Sequence, residues 1–198
     1  MNNCTLSGNR TSALGPYDSS GGGAFGGTLN NCTVTGNWAD FGGGAAGCTL
    51  NNCIVYSNGP DNHSSSTLNY CWTDAPLFVD MASGNLRLQS NSPCINAGLN
   101  ALAPAGLDLD GNLRIVGGSV DIGAYEFQSL SLISFGVVSN QFGFNVTGQS
   151  NWVIVLEASS DFTNWTPLTT NTLGAHPLQF NDPAPPNLPQ RFYRARLQ

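Results

Sequence analysis

The sequence predicts an all-β protein: a parallel β-helix closed by a C-terminal cap and followed by a small antiparallel β-sandwich module. Three observations lead there. A segment rich in glycine and asparagine recurs almost unchanged, 22–32 reading Gly-Gly-Ala-Phe-Gly-Gly-Thr-Leu-Asn-Asn-Cys and 43–53 reading Gly-Gly-Ala-Ala-Gly-Cys-Thr-Leu-Asn-Asn-Cys. Only 9% of the 198 residues are charged, against about 25% in ordinary globular domains. Beyond residue 129 the repeat gives way to alternating aromatic and polar residues.

Each repeat reads as three short strands separated by turns. A period near 20 with a fixed Leu-Asn-Asn-Cys core suits stacked coils. Val, Ile, Leu, Thr and Cys favour a pleated, half-buried surface, while Gly and Asn accept the positive-φ corners of tight turns. In the second copy the strands are expected at 23–25, 28–29 and 32–35, with Asn30-Asn31 as a corner and Cys32 and Val34 facing inward. Stacking would set Leu29 on Leu50, Asn31 on Asn52 and Cys32 on Cys53, with the asparagines hydrogen-bonding from coil to coil. A partial copy opens the chain (Met1-Asn-Asn-Cys4) and a degraded one follows (Leu68-Asn-Tyr-Cys71). Residues 1–74 form this first domain.

From residue 75 the pattern changes to Ala75-Pro-Leu-Phe-Val-Asp80, Asn85-Leu-Arg-Leu-Gln89 and Ser92-Pro-Cys-Ile-Asn-Ala-Gly98. Asp108-Leu-Asp-Gly-Asn-Leu-Arg114 and Asp121-Ile-Gly-Ala-Tyr-Glu126 come next. Residues 75–128 are therefore read as terminal coils and a cap that covers the last strand edges. The third domain spans 129–198, with its boundary at 128–131 and strands expected at 141–146, 152–156, 177–180 and 191–197.

The repeat resembles the right-handed parallel β-helix, or pectin-lyase-like, family over roughly the first two thirds of the chain. The Asp108–Arg114 and Asp121–Glu126 stretches, in that order, are similar to the end of the exported bacterial choice-of-anchor Q proteins. Residues 160–165 (Ser-Asp-Phe-Thr-Asn-Trp) and 191–194 (Arg-Phe-Tyr-Arg) resemble marks of short C-terminal β-domains on large exported proteins of environmental bacteria. These resemblances imply an extracellular or cell-surface protein. Met1 stands where other copies carry Leu29 and Leu50, so the chain reads as the C-terminal end of a longer protein whose signal peptide and earlier coils precede it. A truncated gene product is the alternative.

Charge excludes several partners. Twelve acidic residues outnumber six basic ones, all arginine, giving a formal net charge of -6. Nucleic acid and anionic membrane surfaces both call for clustered cations. The longest apolar stretches, such as 153–156, are far too short for a membrane span.

Candidate chemistry is sparse. Cys4, Cys32, Cys53 and Cys71 occupy equivalent positions and read as stacked interior fillers, and the absence of a C-x2-C pair speaks against zinc. Cys48 and Cys94 stand outside that column and are the better disulfide candidates. Asp108, Asp110, Asn112 and Asp121, with Glu126, place oxygen ligands around a glycine turn and form a candidate calcium site, the one cofactor the chain suggests. An Asx-turn explains the loop equally well. Asp18, Asp40, Asp61 and Asp74 fall in insertion loops, Arg10 is isolated, and His63 and His176 read as solvated or structural. No nucleophile, base and orienting group assemble from these. Trp152 and Trp165 are either sugar platforms or core residues of the last module. The expected function is a non-enzymatic exported or cell-surface protein, adhesin-like or structural, with polysaccharide or cell-surface components as partners. The alternative is a polysaccharide lyase or glycoside hydrolase whose active site lies in earlier coils.

Overall fold

A computed structural model of the chain describes residues 1–12, 19–138, 141–183 and 190–198. It divides into two compact units, Met1–Phe127 and Gln128–Gln198. Every regular element among the described residues is a β-strand apart from one 3-10 turn, Asn100–Leu102. No helix there is long and apolar enough to cross a membrane.

The sequence repeats become three stacks of parallel strands. The first repeat contributes β1 (Thr5–Ser7), and the second β2 (Ala24–Phe25), β3 (Thr28–Asn30) and β4 (Thr33–Thr35). The third supplies β5 (Ala45–Ala46), β6 (Thr49–Asn51) and β7 (Ile54–Tyr56), and the fourth β8 (His63–Ser64) and β9 (Thr67–Asn69). They pair as β2-β5-β8, β3-β6-β9 and β1-β4-β7. Register follows the repeat: Leu29 pairs with Leu50 and Leu50 with Leu68, while Leu6, Val34 and Val55 are in line. Between the sheets lies a core of Leu29, Cys32, Val34, Ala45, Cys48, Leu50, Cys53 and Val55. His63, expected in a solvated loop, instead pairs with Ala45 as part of β8.

Asparagine serves the stack in two ways. Along the outside, Asn30 Nδ2 donates to Asn2 Oδ1 (2.8 Å), Asn51 Nδ2 to Asn30 Oδ1 (2.7 Å) and Asn69 Nδ2 to Asn51 Oδ1 (2.8 Å). At the corner, Asn3, Asn31 and Asn52 adopt φ of 49°, 48° and 50°, a conformation asparagine tolerates. The corner is this single residue, because Asn30 still belongs to β3. Tyr70 holds the same corner in the fourth repeat at φ 53° and is 55% exposed. A bulky side chain there costs about 1 kcal/mol or more. Tyr70→Asn is therefore expected to stabilise the unit by about 0.5–1 kcal/mol, read as a higher urea midpoint at unchanged slope.

Residues 75–128, expected as terminal coils and a cap, contain two antiparallel hairpins. β10 (Phe78–Asp80) pairs with β11 (Asn85–Leu88), and β12 (Ile115–Val116) with β13 (Ser119–Val120). The segment lies along the outer face of β1-β4-β7. Ile54, which points out of the stack where Val55 points in, packs with Phe78, Leu86, Leu88, Cys94 and Ile122 in a second core. Ala124 N donates to Thr33 Oγ1 (3.1 Å). Asn3 Nδ2 donates to the Leu107 carbonyl (2.8 Å) and Asn31 Nδ2 to the Asp121 carbonyl (3.0 Å). Asn52 Oδ1 accepts from Leu99 N (2.9 Å) while its Nδ2 donates to Leu99 O (3.0 Å). The corner asparagines thus clasp a strap of chain.

The second unit contains β14 (Ser131–Val138), β15 (Gln141–Thr147), β16 (Val153–Ser159), β17 (Thr166–Thr172), β18 (Leu178–Asn181) and β19 (Phe192–Leu197). They form two three-stranded antiparallel sheets, β14-β15-β18 and β17-β16-β19. Both sheets feed one core of Phe144, Val146, Ile154, Leu156 and Leu173, with Trp152, Phe180 and Tyr193 packed against it.

Candidate functional site

Two places concentrate polar and aromatic side chains, one in each unit. In the first, Asp108, Asp121 and Glu126 surround Arg114, and all four are at most 6% exposed. The turn that starts at Asp108 brings its carboxylate back onto the chain: Oδ1 accepts from Asp110 N (3.0 Å) and Asn112 N (2.7 Å), and Oδ2 from Glu126 N (2.9 Å). Asp121 accepts from Asn96 N (2.7 Å) and Phe127 N (2.6 Å). Glu126 accepts from Val116 N and Asp121 N, both at 2.9 Å. Arg114 donates to the carbonyls of Ala124, Asp121 and Gly123, and its Nε stands 4.0 Å from Glu126 Oε2.

Burial dominates the electrostatics of this cluster. It lifts Asp121 to about 6, opposed by the amide bonds and Arg114. Glu126 is pushed up to about 8, first by burial and then by the charge of Asp121. Arg114 is lowered by the same desolvation and held up by its three carboxylate neighbours.

The calcium expectation does not fit this geometry. Calcium asks for six to eight oxygens aimed at one centre. Here the oxygens of Asp108 and Asp121 face backbone amides, Asn112 N is one of those donors, and Asp110 is taken by Arg87 in a two-point ion pair. Among the described residues no three His, Cys, Asp or Glu side chains converge to hold a metal ion. What the cluster does chemically is satisfy the backbone amides of Asn96, Asp110, Asn112, Val116, Asp121, Glu126 and Phe127. Sequence reasoning named the carboxylates but missed Arg114, whose burial runs against the habit of arginine.

The remaining sequence candidates are dispersed. Asp40 accepts from Ser19 N and Ser19 Oγ, both at 2.8 Å, and Asp18 lies outside the described residues. All six cysteines are free. Cys48 and Cys94 cannot pair, because Cys48 lies in the core inside the stack and Cys94 in the one beneath the strap. Trp152 packs against the core of the second unit.

The second place is on the C-terminal unit. Asp161 closes the turn after β16: Oδ1 accepts from Thr163 N (2.9 Å), Asn164 N (2.8 Å) and Ser159 Oγ (2.9 Å), and Oδ2 from Asn164 Nδ2 (2.7 Å). These bonds hold the Asp161 carboxyl well below the usual carboxylate range. The turn pushes Phe162 outward at φ 63°, 62% exposed. Its ring stacks on Phe192, centroids 3.5 Å apart, and meets Trp165 edge-on at 6.5 Å. Arg194 lies over the Trp165 ring at 4.2 Å and is anchored by Glu157, which Arg194 and Arg196 hold below its ordinary range. A recess of about 530 Å³ is lined by chain neighbours of these residues, among them Ser159, Asn164, Thr166, Gln190 and Arg191, with none of the three rings in its wall. Such a pairing of flat apolar rings with hydroxyl, amide and guanidinium groups suits a ligand with both C–H faces and hydroxyls.

No family model matches this sequence, and no curated protein or solved structure does either.

Proposed function

We propose that this chain belongs to an exported, non-enzymatic, cell-surface protein of the choice-of-anchor Q type. On this reading its stacked repeats are a right-handed parallel β-helix serving as a rigid scaffold, and its last unit is a β-sandwich module that contacts polysaccharide. The observation that carries the reading is the Phe162–Trp165–Phe192 group together with the polar recess lined by its chain neighbours. Phe162 is 62% exposed and Trp165 and Phe192 are half-buried, and aromatic surface held rigidly near solvent often marks where a partner docks. The rigid scaffold is supported by the unbroken register of the three parallel stacks and by the asparagine ladder along them.

Affinity electrophoresis on soluble neutral and acidic polysaccharides tests this. The full chain is expected to be retarded on at least one polymer. Trp165→Ala or Phe162→Ala should weaken that retardation by about tenfold or more, as loss of a central aromatic contact does. Migration that matches a non-binding control on every polymer would remove the binding role.

A further inference from the structure

The core of the repeats contains a feature that scaffolding does not require. Cys4, Cys32, Cys53 and Cys71 are laddered through their backbones: Thr33 N donates to Cys4 O, Ile54 N to Cys32 O and Trp72 N to Cys53 O, at 2.9–3.0 Å. Their side chains share one orientation. Cys32, Cys53 and Cys71 each donate from Sγ to the carbonyl two residues before, Asn30, Asn51 and Asn69, and Cys4 does so to Asn2. Cys32 N faces Cys53 Sγ, and Cys53 N faces Cys71 Sγ, both at 3.4 Å. The sulfurs therefore form a column whose repeat is the strand spacing, about 4.8 Å. Cysteine stays at all four positions while the next residue changes from Thr5 and Thr33 to Ile54 and Trp72.

That spacing has a chemical match. Twice a metal–sulfur distance of about 2.3 Å spans two such sulfurs with the ion midway between them. The geometry points to a site along this column for a soft divalent cation in linear two-sulfur coordination, of which Hg(II) is the type. One ion lies between Cys4 and Cys32, and a second between Cys53 and Cys71. Soft thiolates select soft cations, and zinc is disfavoured because it wants four ligands. Charge decides for a divalent ion: two S–H bonds break, two S–metal bonds form and two protons leave to solvent. The buried centre stays neutral, which avoids the cost of an unpaired interior charge. No electrons are transferred. Cys32 and Cys53 are fully buried, whereas Cys4 and Cys71 at the two ends are partly exposed and give entry.

The test uses the reduced full chain and mercuric chloride. Native mass spectrometry should count two ions per chain, with four protons released and the far-ultraviolet strand signal kept. Cys4→Ala and Cys71→Ala should each bind one ion and the Cys32→Ala/Cys53→Ala double variant none, while Cys48→Ala still binds two. X-ray absorption on the unmodified chain, which needs no variant to fold, should show two sulfur neighbours per ion. Three or four sulfurs per ion, binding that survives in the double variant, or uptake only with loss of strand signal would overturn the assignment.

Discussion

Arg114→Met is expected to destabilise the N-terminal unit by about 3–5 kcal/mol, the usual cost of removing one partner from a buried charge cluster. Methionine fills much of the volume, so the loss reports on charge and hydrogen bonding and little on packing. The Gly123 carbonyl loses its arginine donor, those of Ala124 and Asp121 keep only Leu109 N and Asn31 Nδ2, and Asp108, Asp121 and Glu126 lose the cation beside them. The effect should depend on pH in a definite direction. Asp121 and Glu126 have folded-state values raised to about 6 and about 8, against about 4 in an unfolded chain. Groups raised in this way bind protons more tightly in the folded state, so their stabilisation is complete below about pH 4 and is lost as pH climbs through 6 and then 8. The wild-type unit should therefore lose stability from weakly acid to weakly alkaline conditions. Without Arg114 the carboxylates resist ionisation more, and the penalty should be larger at about pH 8.5 than at about pH 5. Urea unfolding at both values, followed by far-ultraviolet circular dichroism, decides it. An equal loss at the two values would show that the guanidinium acts through its carbonyl bonds alone.

Asn52→Ala should come close to the same loss, about 3–4 kcal/mol. Asn52 is fully buried, takes φ 50° and bonds both the amide and the carbonyl of Leu99. Alanine pays the left-handed backbone cost and takes the acceptor from Leu99 N and the donor from buried Asn31 Oδ1, each worth about 1–3 kcal/mol, while Leu99 O keeps its bond from Leu102 N. Asn52→Gly separates the contributions, since glycine accepts the conformation but makes none of these side-chain bonds. It should recover about 1 kcal/mol of the loss. If Gly and Ala were equally destabilising, the corner would be unstrained and the lost bonds would carry the whole effect.

The stack was legible because repetition turns a long-range contact into a local pattern. Once Leu29-Asn-Asn-Cys32 is laid over Leu50-Asn-Asn-Cys53, in-register pairing, the inward Val34 and the asparagine corner follow from strand geometry. The strap was not legible, since Asn52 meets Leu99 and Asn3 meets Leu107 through contacts without any period. In the last unit β15, β16, β18 and β19 were foreseen from alternation, while β14 and β17, both edge strands, were not. β17 carries Pro167 among threonines, a composition that only an edge accepts. β14 exposes Ile133, Phe135 and Val137 and is interrupted by Ser134 at φ 55°, so its apolar residues show no single face. Around Arg114 the carboxylates stood out by spacing, but nothing in the local sequence distinguishes an interior arginine from an exposed one.

The strap also bears on how such a chain can change length over evolutionary time. Arrays whose units touch only their neighbours gain or lose a unit by duplication or deletion with little disturbance. Here one continuous run of backbone, from Leu99 to Ala124, meets Asn52, Asn31 and Asn3 at set positions. It acts as a ruler. A unit inserted between Asn31 and Asn52 would throw these meeting points out of step, whereas one added before Asn3 would leave all three undisturbed.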